Sequence, residues 1–130
     1  MRARVLVIAA VVGMLAAATD VAAQSLTPHF PGWERYFTVS WEPLEQRGQP
    51  YLSGYIVSSY GVTATGVQLL VDSLDSSGQI VAQRVEWLGG SNLPGFSRSY
   101  FEVPIRNRAS SYRVSVFAFD FVQSARAESP

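Results

Sequence analysis

The sequence predicts an all-β domain built as a two-sheet sandwich of about six or seven antiparallel strands. Three observations predict it. Apolar side chains recur at every second residue through most of the chain, and turn-forming residues interrupt that alternation at short intervals. No segment beyond the first two dozen residues repeats its apolar positions at helical spacing. Strands of that kind bury one face each, and two sheets facing one another are the simplest way to do it.

The elements follow in order. Residues 24–35 are rich in Pro, Gly and aromatics (Pro28, Phe30, Pro31, Gly32, Trp33) and read as an irregular arm. Residues 36–42 alternate, with Phe37, Val39 and Trp41 on one face and Thr38, Ser40 and Glu42 on the other, and Pro43 is expected to stop the strand. Residues 44–50 read as a polar loop. Residues 51–59 make a second strand, in which Gly54 marks a bulge or a close backbone approach. After a turn at 60–65, residues 66–74 place Val67, Leu69 and Val71 on one face. Asp75-Ser-Ser-Gly78 tolerates turn backbone angles, and residues 79–88 return as the partner strand. A loop at 89–95 leads to a strand at 97–105, inward at Phe101, Val103 and Ile105, with Pro104 suggesting a sheet edge. The last strand, 111–121, turns Val114, Val116 and Ala118 inward, and residues 123–130 form a polar tail. The sandwich itself spans 36–122.

The first residues read as an address label. Arg2 and Arg4 precede an apolar run over 5–18, and Asp20-Val-Ala-Ala-Gln24 closes it. A basic start, an apolar middle and small residues at the cut are the three parts of a signal peptide, here 1–23 with cleavage between Ala23 and Gln24. An uncleaved membrane anchor needs ~20 apolar residues, which this run lacks. A lipoprotein would need a cysteine at the cut. The expected product is a bacterial periplasmic or secreted domain with no stable membrane insertion after cleavage.

Charge and composition exclude several classes. Without Arg2, Arg4 and Asp20, eight basic and nine acidic residues remain. No strong field therefore draws the domain to nucleic acid. The absence of cysteine removes thiolate metal sites, iron–sulfur clusters, thiol catalysis and disulfides, so packing alone must hold the fold.

Several strings resemble a known family. Gly54-Tyr-Ile-Val-Ser-Ser59, Gly66-Val-Gln-Leu-Leu-Val-Asp72, Leu74-Asp-Ser-Ser-Gly-Gln-Ile-Val81, Leu93-Pro-Gly95 with Tyr100-Phe-Glu-Val103, and Ser111-Tyr-Arg-Val-Ser-Val116 come in the order of the FxLYD-type domains of exported bacterial proteins. These are relatives of the LEA-2-like immunoglobulin-like sandwiches. The name motif is broken, since Leu74-Asp75 stands where a Tyr-Asp pair is expected. Phe37-Thr-Val-Ser-Trp-Glu-Pro43, Gly54-Tyr-Ile-Val57 and Tyr112-Arg-Val-Ser-Val-Phe-Ala118 are in turn similar to fibronectin type III strands. The FxLYD-type resemblance implies an immunoglobulin-like fold in an extracytoplasmic setting and carries over no catalytic residue, and both resemblances imply a β-sandwich.

The residues offer no catalytic, cofactor-binding or metal-binding set. His29, the single histidine, lies in the arm, and no Gly-x-Ser-x-Gly elbow or phosphate loop is present. Glu42 with Glu45 and Asp72 with Asp75 are the close carboxylate pairs; the latter pair reads as turn chemistry, not as the alternating ligands of a calcium loop. Arg106, Arg108 and Arg113 read as a solvated face. The surplus is aromatic: all sixteen aromatic residues lie beyond the leader. Phe117, Phe119 and Phe121 share one face of the last strand while Val116, Ala118 and Val122 line the other. The three rings are either covered by Phe30 and Trp33 of the arm or exposed as a partner surface. The expectation is a non-enzymatic domain that binds an unknown protein partner or serves a structural role. The alternative is a module that binds cell-wall glycan through exposed rings such as Tyr36, Tyr60 and Trp87.

Overall fold

A computed structural model describes residues 25–90 and 92–122. The expected signal peptide with its cleavage point at Ala23 and Gln24, and the tail at 123–130, lie outside the described residues. Among those described, seven strands form two antiparallel sheets: β1 (Phe37–Gln46), β2 (Gln49–Ser58), β3 (Ala64–Leu74), β4 (Ile80–Trp87), β5 (Asn92–Leu93), β6 (Arg98–Pro104) and β7 (Ser111–Phe121). One sheet runs β1-β2-β6. The other is centred on β3, with β4 and β5 along one side and β7 along the other. The first two strands thus share a sheet with the sixth, and the third, fourth and fifth with the seventh, which makes the fold a β-sandwich.

The core lies between the sheets. Phe37, Leu52, Ile56, Phe101 and Val103 from one layer meet Ala64, Val67, Leu69, Val71, Leu93, Val114 and Val116 from the other. The two-residue period read from the sequence selects most of these side chains.

Two expectations change. Pro43 does not stop the first strand: β1 continues to Gln46 and pairs with β2 down to Gln49. Pro43 is tolerated because β1 is an edge strand with a single neighbour. The expected loop shrinks to Arg47-Gly48, both at positive φ (53° and 77°), the backbone that a two-residue hairpin turn requires.

The second change is in β7. Leu69 pairs with Val116 but Gln68 pairs with Ala118, so Phe117 is an extra residue in β7. Between Gln68 and Thr65 the excess passes to β3, where Gly66 adopts a φ of +63°. Each bulge reverses which face a strand's side chains meet. Val114 and Val116 are therefore buried before the bulge, while Phe119 and Phe121 turn toward the core after it. The strand is apolar on both faces because it changes face midway.

The Asp75 turn forms as its residues predict. The Asp75 carboxylate accepts from the Ser77 and Gln79 amides (both 2.9 Å) and from the Ser77 hydroxyl (2.7 Å). The Ser77 hydroxyl bond and then the Gln79 amide hold its pKa below the ordinary value of 3.8. A carboxylate depressed in the folded state supports its turn above the unfolded value and loses that support as pH falls through the folded one. Exchange protection of the Ser77 and Gln79 amides should accordingly hold at neutral pH and weaken as the solution is acidified through the carboxylate range. Asp75→Asn should flatten that dependence; an equally steep profile in the variant would contradict it.

Candidate interaction surfaces

The arm is an ordered strap. The Gln83 carboxamide grips the Leu26 backbone at both ends, its oxygen accepting the Leu26 N–H (2.7 Å) and its nitrogen donating to the Leu26 carbonyl (3.0 Å). The same nitrogen reaches Asp72 (2.8 Å), which also receives Arg113 through Nε (3.1 Å) and Nη2 (2.9 Å). Asp72 is only 2% exposed, and those donors meet the cost of burying its charge. Further on, the His29 N–H donates to the Phe117 carbonyl (2.9 Å), and its ring lies 4.4 Å from the Phe117 ring. The chain then enters a single 3-10 turn at Trp33–Arg35 and passes into β1.

The strap decides the fate of the phenylalanines. Phe117 lies under His29. Phe119 is flanked by Phe30 (5.5 Å), Phe37 (4.9 Å) and Phe121 (5.2 Å), and Phe121 by Tyr36 (5.1 Å) and Tyr60 (4.8 Å). Phe117, Phe119 and Phe121 are all half-buried, and the bulge at Phe117 together with the strap keeps them from forming one free face. Trp33 packs against the core, as do Tyr36, Phe119 and Phe121.

The polar candidates disperse. Arg113 serves Asp72, and Arg108 pairs with Glu45 at 2.8 Å on the surface. Arg84 and Glu86 form an ion pair on β4, opposite Val71 and Leu69 and so on the inward side of an edge strand. Burial, and then the neighbouring Arg106 charge, lower the Arg84 pKa. Charges turned inward on an outer strand oppose edge-to-edge association. Among the described residues no group of three or more His, Asp or Glu converges as metal ligands would.

Among the described residues, two surfaces carry exposed rings clear of the strap. At one end of the sandwich, Trp87 closes β4 at 69% exposure and Phe96, between β5 and β6, stands 75% exposed. Phe96 has a φ of +55°, an unusual backbone for a bulky residue. Its turn is closely docked. The Phe96 N–H donates to the Tyr60 carbonyl (3.0 Å), and Gly95 lies so close to Gly61 that an added Cβ would come within 2.4 Å of the Gly61 carbonyl carbon. The Pro-Gly pair before Phe96 marked the turn in the sequence, but nothing local showed which way the ring would point.

The second open surface is the outer face of the β1-β2-β6 sheet. Tyr55 and Tyr100 stand opposite each other in the β2–β6 ladder, with ring centroids 5.4 Å apart, and the Arg98 guanidinium lies 4.7 Å over the Tyr55 ring. The Tyr100 hydroxyl donates to Glu102 (2.8 Å) and contacts the Ser53 hydroxyl (2.9 Å). The Ser53 bond draws the Tyr100 pKa down, while the Glu102 bond, partial desolvation and neighbouring negative charge outweigh it and leave the phenol above its ordinary value. No protein-family model matches the chain, and neither a curated protein nor a solved structure does.

Proposed function

We propose that this chain is an exported, non-catalytic domain of immunoglobulin-like winding that works in the periplasm or outside the cell by holding another protein at the Trp87–Phe96 end of its sandwich. The basic, apolar and small-residue segments of 1–23 support export. The strings between Phe37 and Ala118 support kinship with the FxLYD-type or fibronectin type III domains without choosing between them.

One observation carries the binding reading: Phe96 is held in water, in a left-handed backbone, by a turn docked through Gly95 and the Tyr60 carbonyl. A strained backbone of this kind costs on the order of 1–3 kcal/mol and collects at sites of function. Exposed Trp and other large aromatics are the residues on which protein contacts concentrate their energy. A rigid turn presents such a ring with little entropy left to lose.

The test places a photoreactive side chain at 96, at 87 and, as a control, at 47 in the turn at the opposite end, in cells that export the protein. Positions 96 and 87 should yield the same discrete adduct and position 47 should not. Phe96→Gly should abolish that adduct at 87 while leaving stability within about 1 kcal/mol, because glycine accepts the left-handed angle. Identical patterns at all three positions, or none at 87 and 96 with the protein exported and folded, would overturn the reading.

A further inference from the structure

We propose that the free edge of β6 pairs antiparallel with β6 of a second copy, so that the β1-β2-β6 sheets of two molecules join into one continuous sheet. This contact is separate from the Trp87–Phe96 end and does not depend on it.

Hydrogen-bond parity decides what the edge of β6 offers. The Ser58 N–H donates to the Ser97 carbonyl (2.8 Å) and the Ile105 N–H to the Pro50 carbonyl (3.0 Å), at the two ends of the β2–β6 ladder. Backbone groups in an antiparallel ladder alternate between facing the partner and facing away. Ser99, Phe101 and Val103 therefore turn their N–H and C=O groups to β2, and Arg98, Tyr100 and Glu102 turn theirs outward. None of those three outward N–H groups meets a partner among the described residues. Of the outward carbonyls, that of Tyr100 receives the Ser99 hydroxyl at 3.4 Å.

The other outer strands are blunted. β1 lacks a donor at Pro43, and β4 turns Arg84 and Glu86 inward. In β7 the Tyr112 and Phe117 carbonyls are taken by Trp41 Nε1 (3.0 Å) and the His29 N–H (2.9 Å). In β6 the proline comes last, at 104.

A second copy fits this edge in one register. Turned about a two-fold axis at Tyr100, β6 meets itself with Arg98 opposite Glu102 and Tyr100 opposite Tyr100. All three residues face outward in their backbone and carry exposed side chains on one face. The strand is thus self-complementary, as an isologous contact requires, and opposite charges directly across a ladder are favourable. Centring on Phe101 sets Pro104 against Arg98 and loses donors, centring on Ser99 forgoes the charge pairs, and centring on Arg98 or Glu102 opposes like charges. In the pair, Arg98 leaves the Tyr55 ring, over which it lies at 4.7 Å, for the carboxylate across the join. Glu102 keeps lone pairs beyond the one that the Tyr100 hydroxyl uses. Glu42 stands on β1, two strands from the join. The charges set the register, and the backbone groups do the holding.

Sedimentation velocity of the purified protein, over a concentration series to about 1 mM, should show a reversible monomer–dimer equilibrium. Amide exchange should slow with concentration at Arg98, Tyr100 and Glu102. Ser99 and Phe101, already bonded to β2, should not change. Arg98→Glu and Glu102→Arg should each weaken the dimer roughly tenfold, because either places two like-charge pairs in the contact. The two substitutions together should restore affinity to within about threefold of wild type. A protein that stays monomeric throughout, a dimer whose three edge amides exchange as in the monomer, or a double variant no better than the single ones would overturn the proposal. Because the measurement needs no other protein, a negative result bears on the β6 edge alone.

Discussion

Gly54→Ala should unfold this domain at temperatures where the wild type is stable, the largest effect expected from any single methyl group. Gly54 lies in the middle of β2, between Trp41 of β1 and Phe101 of β6. A Cβ there would come within 1.9 Å of the Ser40 carbonyl oxygen and 2.8 Å of Phe101 Cζ. The Phe101 atom is the far end of a side chain, whereas the carbonyl belongs to a paired strand and moves only if the ladder opens. Overpacking a well-filled site costs about 1–3 kcal/mol and more where backbone must shift, so about 3 kcal/mol is a lower figure here. For a domain of this size that lowers the melting temperature by roughly 12–24 °C. Gly78→Ala makes a useful contrast. Its φ is +87° with nothing within 4 Å, so the cost is conformational alone, about 1–2 kcal/mol. Thermal unfolding followed by circular dichroism separates the two. A melting temperature for Gly54→Ala within a few degrees of wild type would show that β1 and β2 do not approach as described.

Phe37→Ala should cost about 3–5 kcal/mol, since a buried phenylalanine loses its transfer energy and leaves a cavity. Phe37 is 1% exposed and meets three rings: Phe119 at 4.9 Å and Phe121 at 6.3 Å on β7, and Tyr36 at 6.5 Å at the end of the strap. Favourable ring pairs add about 0.5–1.5 kcal/mol each beyond area burial. With a total stability of about 5–15 kcal/mol to draw on, the variant should be marginal. In urea its midpoint should fall with the slope unchanged, and near-UV circular dichroism at low urea should already be weakened as the aromatic cluster loosens. A midpoint shift worth less than about 1 kcal/mol would mean that the cluster repacks around the gap.

Particular residues show how far the sequence could be read. Val67, Leu69 and Val71, and Phe101 with Val103, were legible as core because alternation within one strand reports burial on one face. The Asp75 turn was legible because its side chain bonds its own neighbours. Gly54 was legible as a close approach because glycine in the middle of a strand forgoes packing. Pro43 misled: proline forbids a central strand but not an edge one, and edge position is a property of the sheet. For Phe117, Phe119 and Phe121 the cover supplied by the arm was legible as one of two alternatives, but the bulge that parts Phe117 from the other two was not, since it depends on which residue of β3 each β7 residue meets.

The open surfaces were less legible still. Trp87 was singled out as an exposed ring, but Phe96 was not, because its exposure depends on the docking of Gly95 against Gly61. Arg98, Tyr55 and Tyr100 lie on strands far apart in the chain, and only the β2–β6 register makes them neighbours.

What the sequence alone determined was the all-β sandwich and most of its interior, because alternation and turn preference act between residues a few positions apart. What the tertiary structure decided was the strap across the β3-centred sheet, the change of face in β7, and the rings left in water. Each depends on pairing between distant strands, where a shift of one residue exchanges inside for outside, and no local pattern records that choice.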